Sequence, residues 1–113
     1  MHITTHILDT SRGAPAANVA ITLDLLKAPD RWEMIATAQT NVDGRAPNLL
    51  AKHHELAAGT YRLTFHTAAY FAAQKVESFY PQVEIQFVIK DPAQHYHVPL
   101  LLSPFGYSTY RGS

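Results

Sequence analysis

There is no cysteine among the 113 residues, so disulfides, thiolate catalysis and cysteine-ligated metal are excluded. Charge is scarce too. Only 16% of residues are charged against 47% hydrophobic, which is lean for a small monomer with a mostly polar surface and favours burial between subunits. Nine Lys plus Arg balance nine Asp plus Glu, leaving no basic footprint for nucleic acid or anionic lipid. No window approaches the roughly 20 apolar residues of a membrane span. The opening Met1-His2-Ile3-Thr4-Thr5-His6 lacks the basic and apolar regions of a secretory leader, and the closing Arg111-Gly112-Ser113 is not a peroxisomal address. These absences lead to the expectation of a soluble cytoplasmic protein. No glycine-rich phosphate loop, nucleophile elbow or carboxylate pair occurs, which removes phosphoryl transfer by a P-loop and a serine triad from consideration.

Short alternating runs between turn residues are abundant instead, and they predict an all-β, two-sheet β-sandwich. Candidate strands are Ile3–Asp9, Val19–Leu25, Trp32–Thr40, Gly59–His66, Gln82–Ile89, Tyr96–Ser103 and Tyr107–Tyr110, with a weak edge strand at Ala46–Leu50. Breakers fall at Arg12-Gly13-Ala14-Pro15, Pro29-Asp30, Asp43-Gly44, Ala58-Gly59 and Asp91-Pro92. One short helix is predicted over His66–Val76, with Thr67 as its cap and an alanine-rich face. The length fits one domain over residues 1–113, large enough to bury roughly two-thirds of the surface of its unfolded chain.

Histidine, at seven residues, is the chemistry-bearing type here, and its most informative setting is the last hairpin. Ser103-Pro104-Phe105-Gly106 has the residues of a tight turn between two β-rich runs. Closing it at Ser103 and Gly106 sets Leu101 opposite Ser108, Pro99 opposite Tyr110 and His97 opposite Gly112, with opposed Cβ atoms about 5 Å apart. Ser113 then falls beside His97 with its hydroxyl and carboxylate available. Alternation places Tyr96, Val98, Leu100 and Leu102 on the core face and His95, His97, Pro99 and Leu101 on the other. Pro99 and Leu101, next to Tyr110, need a cover, and a second copy of the hairpin is the simplest one. His95 and His97 form a His-x-His pair whose rings share one side, an arrangement able to hold zinc with His6 as a third ligand, although no carboxylate or cysteine completes the set. On their own, His6 reads as a polar-face strand residue and Arg45, after Asp43-Gly44, as a solvated turn residue. Alternation turns Arg111 away from His97, toward anchoring the tail. His53-His54, beside Lys52 and Glu55, read as solvent-exposed, and His2 and His66 carry no assignment.

Three segments in order resemble one known family. Tyr110-Arg111-Gly112-Ser113 behind His95-Tyr96-His97-Val98-Pro99-Leu100-Leu101 is similar to the ending of the 5-hydroxyisourate hydrolases, the enzymatic branch of the transthyretin-like family. Thr5-His6-Ile7-Leu8-Asp9-Thr10 with Gly13 and Pro15-Ala16 resembles the N-terminal signature, and Thr40-Asn41-Val42-Asp43-Gly44-Arg45 the central one. The resemblance implies a transthyretin-like (prealbumin-like) sandwich with one short helix, assembled as a homotetramer whose channel lies between subunits. It implies metal-independent hydrolysis, without cofactor, of 5-hydroxyisourate to 2-oxo-4-hydroxy-4-carboxy-5-ureidoimidazoline in urate degradation. Carried over by position, His6, Arg45, His97 and Ser113 are the catalytic set, and Tyr110, Arg111 and Gly112 border the substrate. Two rivals stand beside this reading. One is a carrier of thyroid-hormone-type ligands, a branch lacking the Tyr-Arg-Gly-Ser ending and the channel His and Arg. The other is a zinc hydrolase built on His6, His95 and His97.

Overall fold

The computed structural model describes residues 2–47, 49–50 and 55–113, with His2 described in its backbone alone. The expectations at Asn48 and at Lys52-His53-His54 lie outside the described residues. In chain order the elements are β1 (His2–Asp9), β2 (Ala14–Pro15), β3 (Ala20–Ala28), β4 (Arg31–Gln39), β5 (Gly59–Phe65), α1 (Thr67–Ala72), β6 (Val83–Ile89), β7 (His95–Ser103) and β8 (Gly106–Thr109). They form two four-stranded sheets, β2-β1-β7-β8 and β4-β3-β5-β6, and the all-β sandwich with one short helix is what is observed.

The core follows from alternation. Ile3, Ile7, Val98, Leu100 and Leu102 of the first sheet meet Ile21, Leu23, Leu63, Phe65 and Val83 of the second, all buried. Each large apolar side chain withdrawn in this way contributes about 1.5–3 kcal/mol before entropy is counted. Three successive antiparallel pairings, β3 with β4, β3 with β5 and β5 with β6, build the second sheet. The first sheet joins the two ends of the chain, since β1 runs parallel to β7 from His2↔His95 to Asp9↔Leu102.

Three expectations about elements need correction. Ala14-Pro15, read as a breaker, is a short strand on the edge of β1, where proline is tolerated because no further strand needs its missing N–H. Around Ala46–Leu50 no strand forms at the described positions; Ala46 and Leu49 are buried as a loop against the core, so their hydrophobicity reflects plugging and not pairing. The helix is shorter than His66–Val76. Thr67 is its first residue and not its cap, His66 takes the cap position without a side-chain hydrogen bond, and Lys75 at φ 58 ends any continuation.

Asp9 ties the helix to the first sheet and is fully buried. Its carboxylate accepts from the Tyr70 hydroxyl at 2.7 Å, the Ser11 hydroxyl at 2.6 Å and the backbone N–H groups of Ser11 and Arg12. Burial alone would raise its pKa, but these donors together hold it below the ordinary 3.8. A lowered carboxyl pKa means stability that is present above 3.8 and lost as pH falls through the folded-state value. Tyr70→Phe is therefore expected to cost about 1.5–3 kcal/mol at pH 7, the range for a hydrogen bond to a charged group. Urea unfolding of the two proteins checks this, and the difference should shrink in strong acid.

Candidate active site

The outward face of the β2-β1-β7-β8 sheet carries the polar residues that alternation removed from the core. Thr4 and His6 of β1 lie beside His97 and Pro99 of β7, because the parallel register pairs Thr4 with His97 and His6 with Pro99. The β7–β8 hairpin has the register expected of it, Ser103↔Gly106 and Leu101↔Ser108, and the chain then returns to bridge His97 with Gly112. On the far side of β1, Arg45 bridges His6 in antiparallel fashion. Two rows thus cross the sheet: Thr4, His97 and Gly112 in one, and Arg45, His6 and Pro99 in the next, with Tyr110 opposite Pro99 when the register is carried on. Residues from the first ten, the middle and the last twenty positions converge here.

Arg45 is positioned by its turn. The Asn41 side-chain oxygen accepts from the backbone N–H of Asp43 at 2.9 Å and of Arg45 at 3.1 Å, an Asx turn of the kind asparagine favours. Asn41 N–H donates to the Arg45 carbonyl at 2.8 Å, and Ile7 N–H to the Gly44 carbonyl at 2.8 Å, docking the turn on β1. Gly44 has φ +74, and a Cβ there would strike the Ile7 carbonyl oxygen, so only glycine lets the turn come this close.

His97 is half-buried and held from two sides. Its Nδ1 lies 2.8 Å from the Thr4 hydroxyl, and its Cδ2 edge packs on Gly112, where an added Cβ would sit 2.5 Å from Cδ2. Because Nε2 is bonded to Cδ2, it is the outer nitrogen on the tail side of the ring. No hydrogen-bond partner meets it among the described residues. The backbone N–H of Gly112 donates to the His97 carbonyl at 2.9 Å and locks the tail in place. Burial, then the positive charges of Arg45, His95 and His6, lower the His97 pKa below the ordinary 6.5. The imidazole is therefore neutral near pH 7, with one open nitrogen and a guanidinium nearby, a group suited to take a proton from water.

His95 is exposed, and its Nε2 lies 2.7 Å from the same Thr4 hydroxyl. Arg111 points away from His97: its guanidinium stacks 4.6 Å from the centre of the Tyr96 ring and donates to the Gln94 side chain at 3.1 Å, so the side chain anchors the tail and does not border the outward face. Ser113 follows Gly112 and is exposed. Pro99 is already buried within the single chain by the returning tail, while Leu8 and Leu101 are half-buried and Tyr110 remains 59% exposed. Among the described residues no group of three His, Cys, Asp or Glu is arranged to hold a metal ion. Thr4 and Asn41 were not singled out from sequence. Thr4 could have been found from its i, i+2 relation to His6, but only with the parallel register in hand.

The model of the HIUase/transthyretin family matches residues 3–112. The chain belongs to that family. It is 48% identical over 112 residues to 5-hydroxyisourate hydrolase of Mus musculus, spanning 98% of this chain and 94% of the mouse protein. Among solved structures, Klebsiella pneumoniae 5-hydroxyisourate hydrolase superposes with a TM-score of 0.86 at 42% identity, over the whole of both chains. Sea bream transthyretin in complex with thyroxine superposes with a TM-score of 0.91 at 35% identity, over 99% of this chain and 95% of that one. The fold of the family thus carries both a hydrolase and a thyroxine-binding protein.

Gly112→Ala should push the His97 ring off the tail and break its bond to Thr4. Relieved of burial, the imidazole would titrate nearer 6.5 than in the unaltered protein, and proton NMR titration of the histidine ring signals reads that rise directly.

Proposed function

We propose that this protein hydrolyses 5-hydroxyisourate, opening its six-membered ring at the cyclic amide to give 2-oxo-4-hydroxy-4-carboxy-5-ureidoimidazoline in urate degradation. The observation that carries this reading is the convergence on His97, a neutral imidazole with its outer nitrogen open, of all three motif segments. Water loses a proton to His97 Nε2 as its oxygen bonds the ring carbonyl carbon. Arg45 stabilises the oxygen that becomes negative, the carbon–nitrogen bond breaks, and the proton held by His97 passes by way of His6 to the leaving nitrogen, which returns both imidazoles to their starting state. Ser113, next along the tail from Gly112, holds the attacking water in line. Tyr110 and Gly112 border the substrate, and Arg111 contributes by fixing the tail that carries them. A rigid guanidinium fork suits the carbonyl and amide edges of an oxidised purine better than a lysine would.

The whole of residues 1–113 acts as one transthyretin-like domain, and four copies form a homotetramer with the site in the crevice between subunits. Supporting this, the outward face keeps Leu8 and Leu101 half-buried and Tyr110 exposed, and β6 and β8 are open edges of their sheets. We place the protein in the cytoplasm; no helix among the described residues is long and apolar enough to cross a membrane. A carrier role of the thyroxine-binding kind is the alternative the fold would allow. It gives no reason for a neutral imidazole with an open nitrogen beside an arginine.

Generating 5-hydroxyisourate from urate with urate oxidase and following its ultraviolet decay tests the reading. Added protein should speed the decay, and the acceleration should survive a chelator. Unchanged decay would reject the hydrolase, and loss on chelation would restore the zinc alternative. His97→Ala should lower kcat by about 10²–10⁴, the usual worth of positioned acid–base catalysis, and Arg45→Ala by about 10²–10³, that of one electrostatic donor. Sedimentation should show both variants assembled as the parent.

The pH profile follows from the sign of the His97 shift. A base must be unprotonated to act, so a lowered pKa keeps it competent further into acid, and the acid limb of kcat/KM should have its midpoint below 6.5. A limb above 6.5, or none down to about pH 4 on the reference histidine pKa, would argue against His97 as the base.

A further inference from the structure

One hydroxyl lies between two imidazoles. Thr4 Oγ1 is 2.7 Å from His95 Nε2 and 2.8 Å from His97 Nδ1, both within hydrogen-bond range. A hydroxyl has a single proton to donate, and each neutral imidazole has one N–H and one bare nitrogen. Because the oxygen also has two lone pairs, three settings satisfy both contacts: Thr4 donates to one ring and accepts from the other, in either sense, or it accepts from both and turns its own proton elsewhere. In the first it accepts from His97 Nδ1–H and donates to His95 Nε2, and both rings are protonated at Nδ1. In the second it donates to His97 Nδ1 and accepts from His95 Nε2–H, and both are protonated at Nε2. Whenever it donates to one of the rings the hydroxyl couples the two tautomers, because which nitrogen of an imidazole is bare depends on the bond its other nitrogen makes.

Of the two settings in which Thr4 donates to a ring, only the first leaves a lone pair on His97 Nε2, the open nitrogen on the tail side; acceptance from both rings leaves it too, but then the Thr4 proton holds neither imidazole. The first also needs no rearrangement during a proton transfer. When Nε2 takes a proton, the cation keeps its Nδ1–H bond to Thr4 with the hydroxyl oriented as before. In the second setting Nε2 already carries hydrogen and the ring has nothing to accept with. His95 is well placed for its share: exposed, it can satisfy its own Nδ1–H with solvent while its Nε2 receives the Thr4 proton.

We propose that Thr4 and His95 are positioning residues that hold His97 in the Nδ1–H tautomer, with Thr4 the acceptor for His97 and His95 the acceptor for Thr4. This rests on the reading of His97 as the base. The other titratable or charged side chains around His97 are His6 on β1, Arg45 on the docked turn and Tyr110 on the tail. Among the described residues none of them hydrogen-bonds Nδ1, so Thr4 alone decides it.

The test has two arms, one of them independent of substrate. Nitrogen-15 NMR of the uniformly labelled protein at pH 8, where unperturbed imidazoles are neutral, should show His97 and His95 both with protonated Nδ1 and bare Nε2. In Thr4→Val, which keeps the shape and removes the hydroxyl, the His97 signals should move toward the Nε2–H form. In the decay assay Thr4→Val should lower kcat by about 10- to 100-fold, as loss of such supporting bonds does at other sites, with KM changed less than about 3-fold. Thr4→Ser should recover most of the loss, which a purely packing role for the threonine methyl would not allow. His95→Ala, leaving the hydroxyl free to turn either way, should give a mixed His97 tautomer and a smaller loss. A wild-type His97 protonated at Nε2, or a Thr4→Val protein with unaltered tautomer and kcat, overturns the proposal. Should the wild-type protein not act on 5-hydroxyisourate at all, the hydrolase reading fails, while the NMR arm still decides the tautomer.

Discussion

The parallel pairing of the first strand with the penultimate strand is the constraint on which everything else in the molecule rests. Parallel neighbours cannot be joined by a tight turn, and here the connection between them is the whole opposing sheet with its helix, from Ala20 to Ile89. That long return gives the first sheet its core partner. It also sets Thr4 beside His97 and His6 beside Pro99, so the register that buries Ile3, Ile7, Val98 and Leu100 inward projects the polar residues outward. A slip of one residue would send every side chain to the wrong face. The core and the site are thus specified by the same pairing, and neither could be altered in register without loss of the other.

Local parts of this arrangement were legible in the sequence and long-range parts were not. The final hairpin could be registered residue by residue because Ser103-Pro104-Phe105-Gly106 fixes the turn, and antiparallel geometry then dictates that His97 meets Gly112. Arg45 could be drawn to the site only through the resemblance of its turn to a known motif, since an arginine after Asp-Gly gives no local sign of docking on β1. The physical reason lies in Gly44, whose missing Cβ allows contact with Ile7, a fact about proximity that no periodicity contains. Thr4 escaped notice for a related cause. Threonine is a common strand residue, and its value here comes from the two rings facing it across a parallel ladder. Ala46 and Leu49 misled in the opposite sense, being apolar for the sake of a buried loop with no strand to join.

The backbone by itself does not separate catalysis from carriage. Sea bream transthyretin bound to thyroxine superposes on this chain about as well as the Klebsiella pneumoniae hydrolase does, with TM-scores of 0.91 and 0.86. Function within such a family must be argued from side chains set on a shared frame. In this chain the decisive ones are few, and each is supported by a neighbour that carries no chemistry of its own. Gly44 and Asn41 support Arg45, Gly112 and Thr4 support His97, and Arg111 on Tyr96 supports the tail. A glycine in two of the three motifs marks a place where one segment must touch another.

On the proposed role of His97 as the base, the charge arrangement around it accounts for why an imidazole suffices. The charges that act on it, from Arg45, His95 and His6, are all positive or become so on protonation, and together with burial they disfavour the imidazolium. In isolation that would weaken the base, because a lower pKa means a smaller affinity for the proton it must accept. The same positive field favours the negative oxygen that forms as water adds to a carbonyl, and preorganised stabilisation of developing charge is usually the larger effect. An Asp or Glu side chain beside the ring would reverse both influences, strengthening the base while opposing the oxyanion. Among the described residues no Asp or Glu lies in the two rows that cross the outward face. A hydroxyl at Nδ1, which orients the ring without adding negative charge, is the partner consistent with that choice.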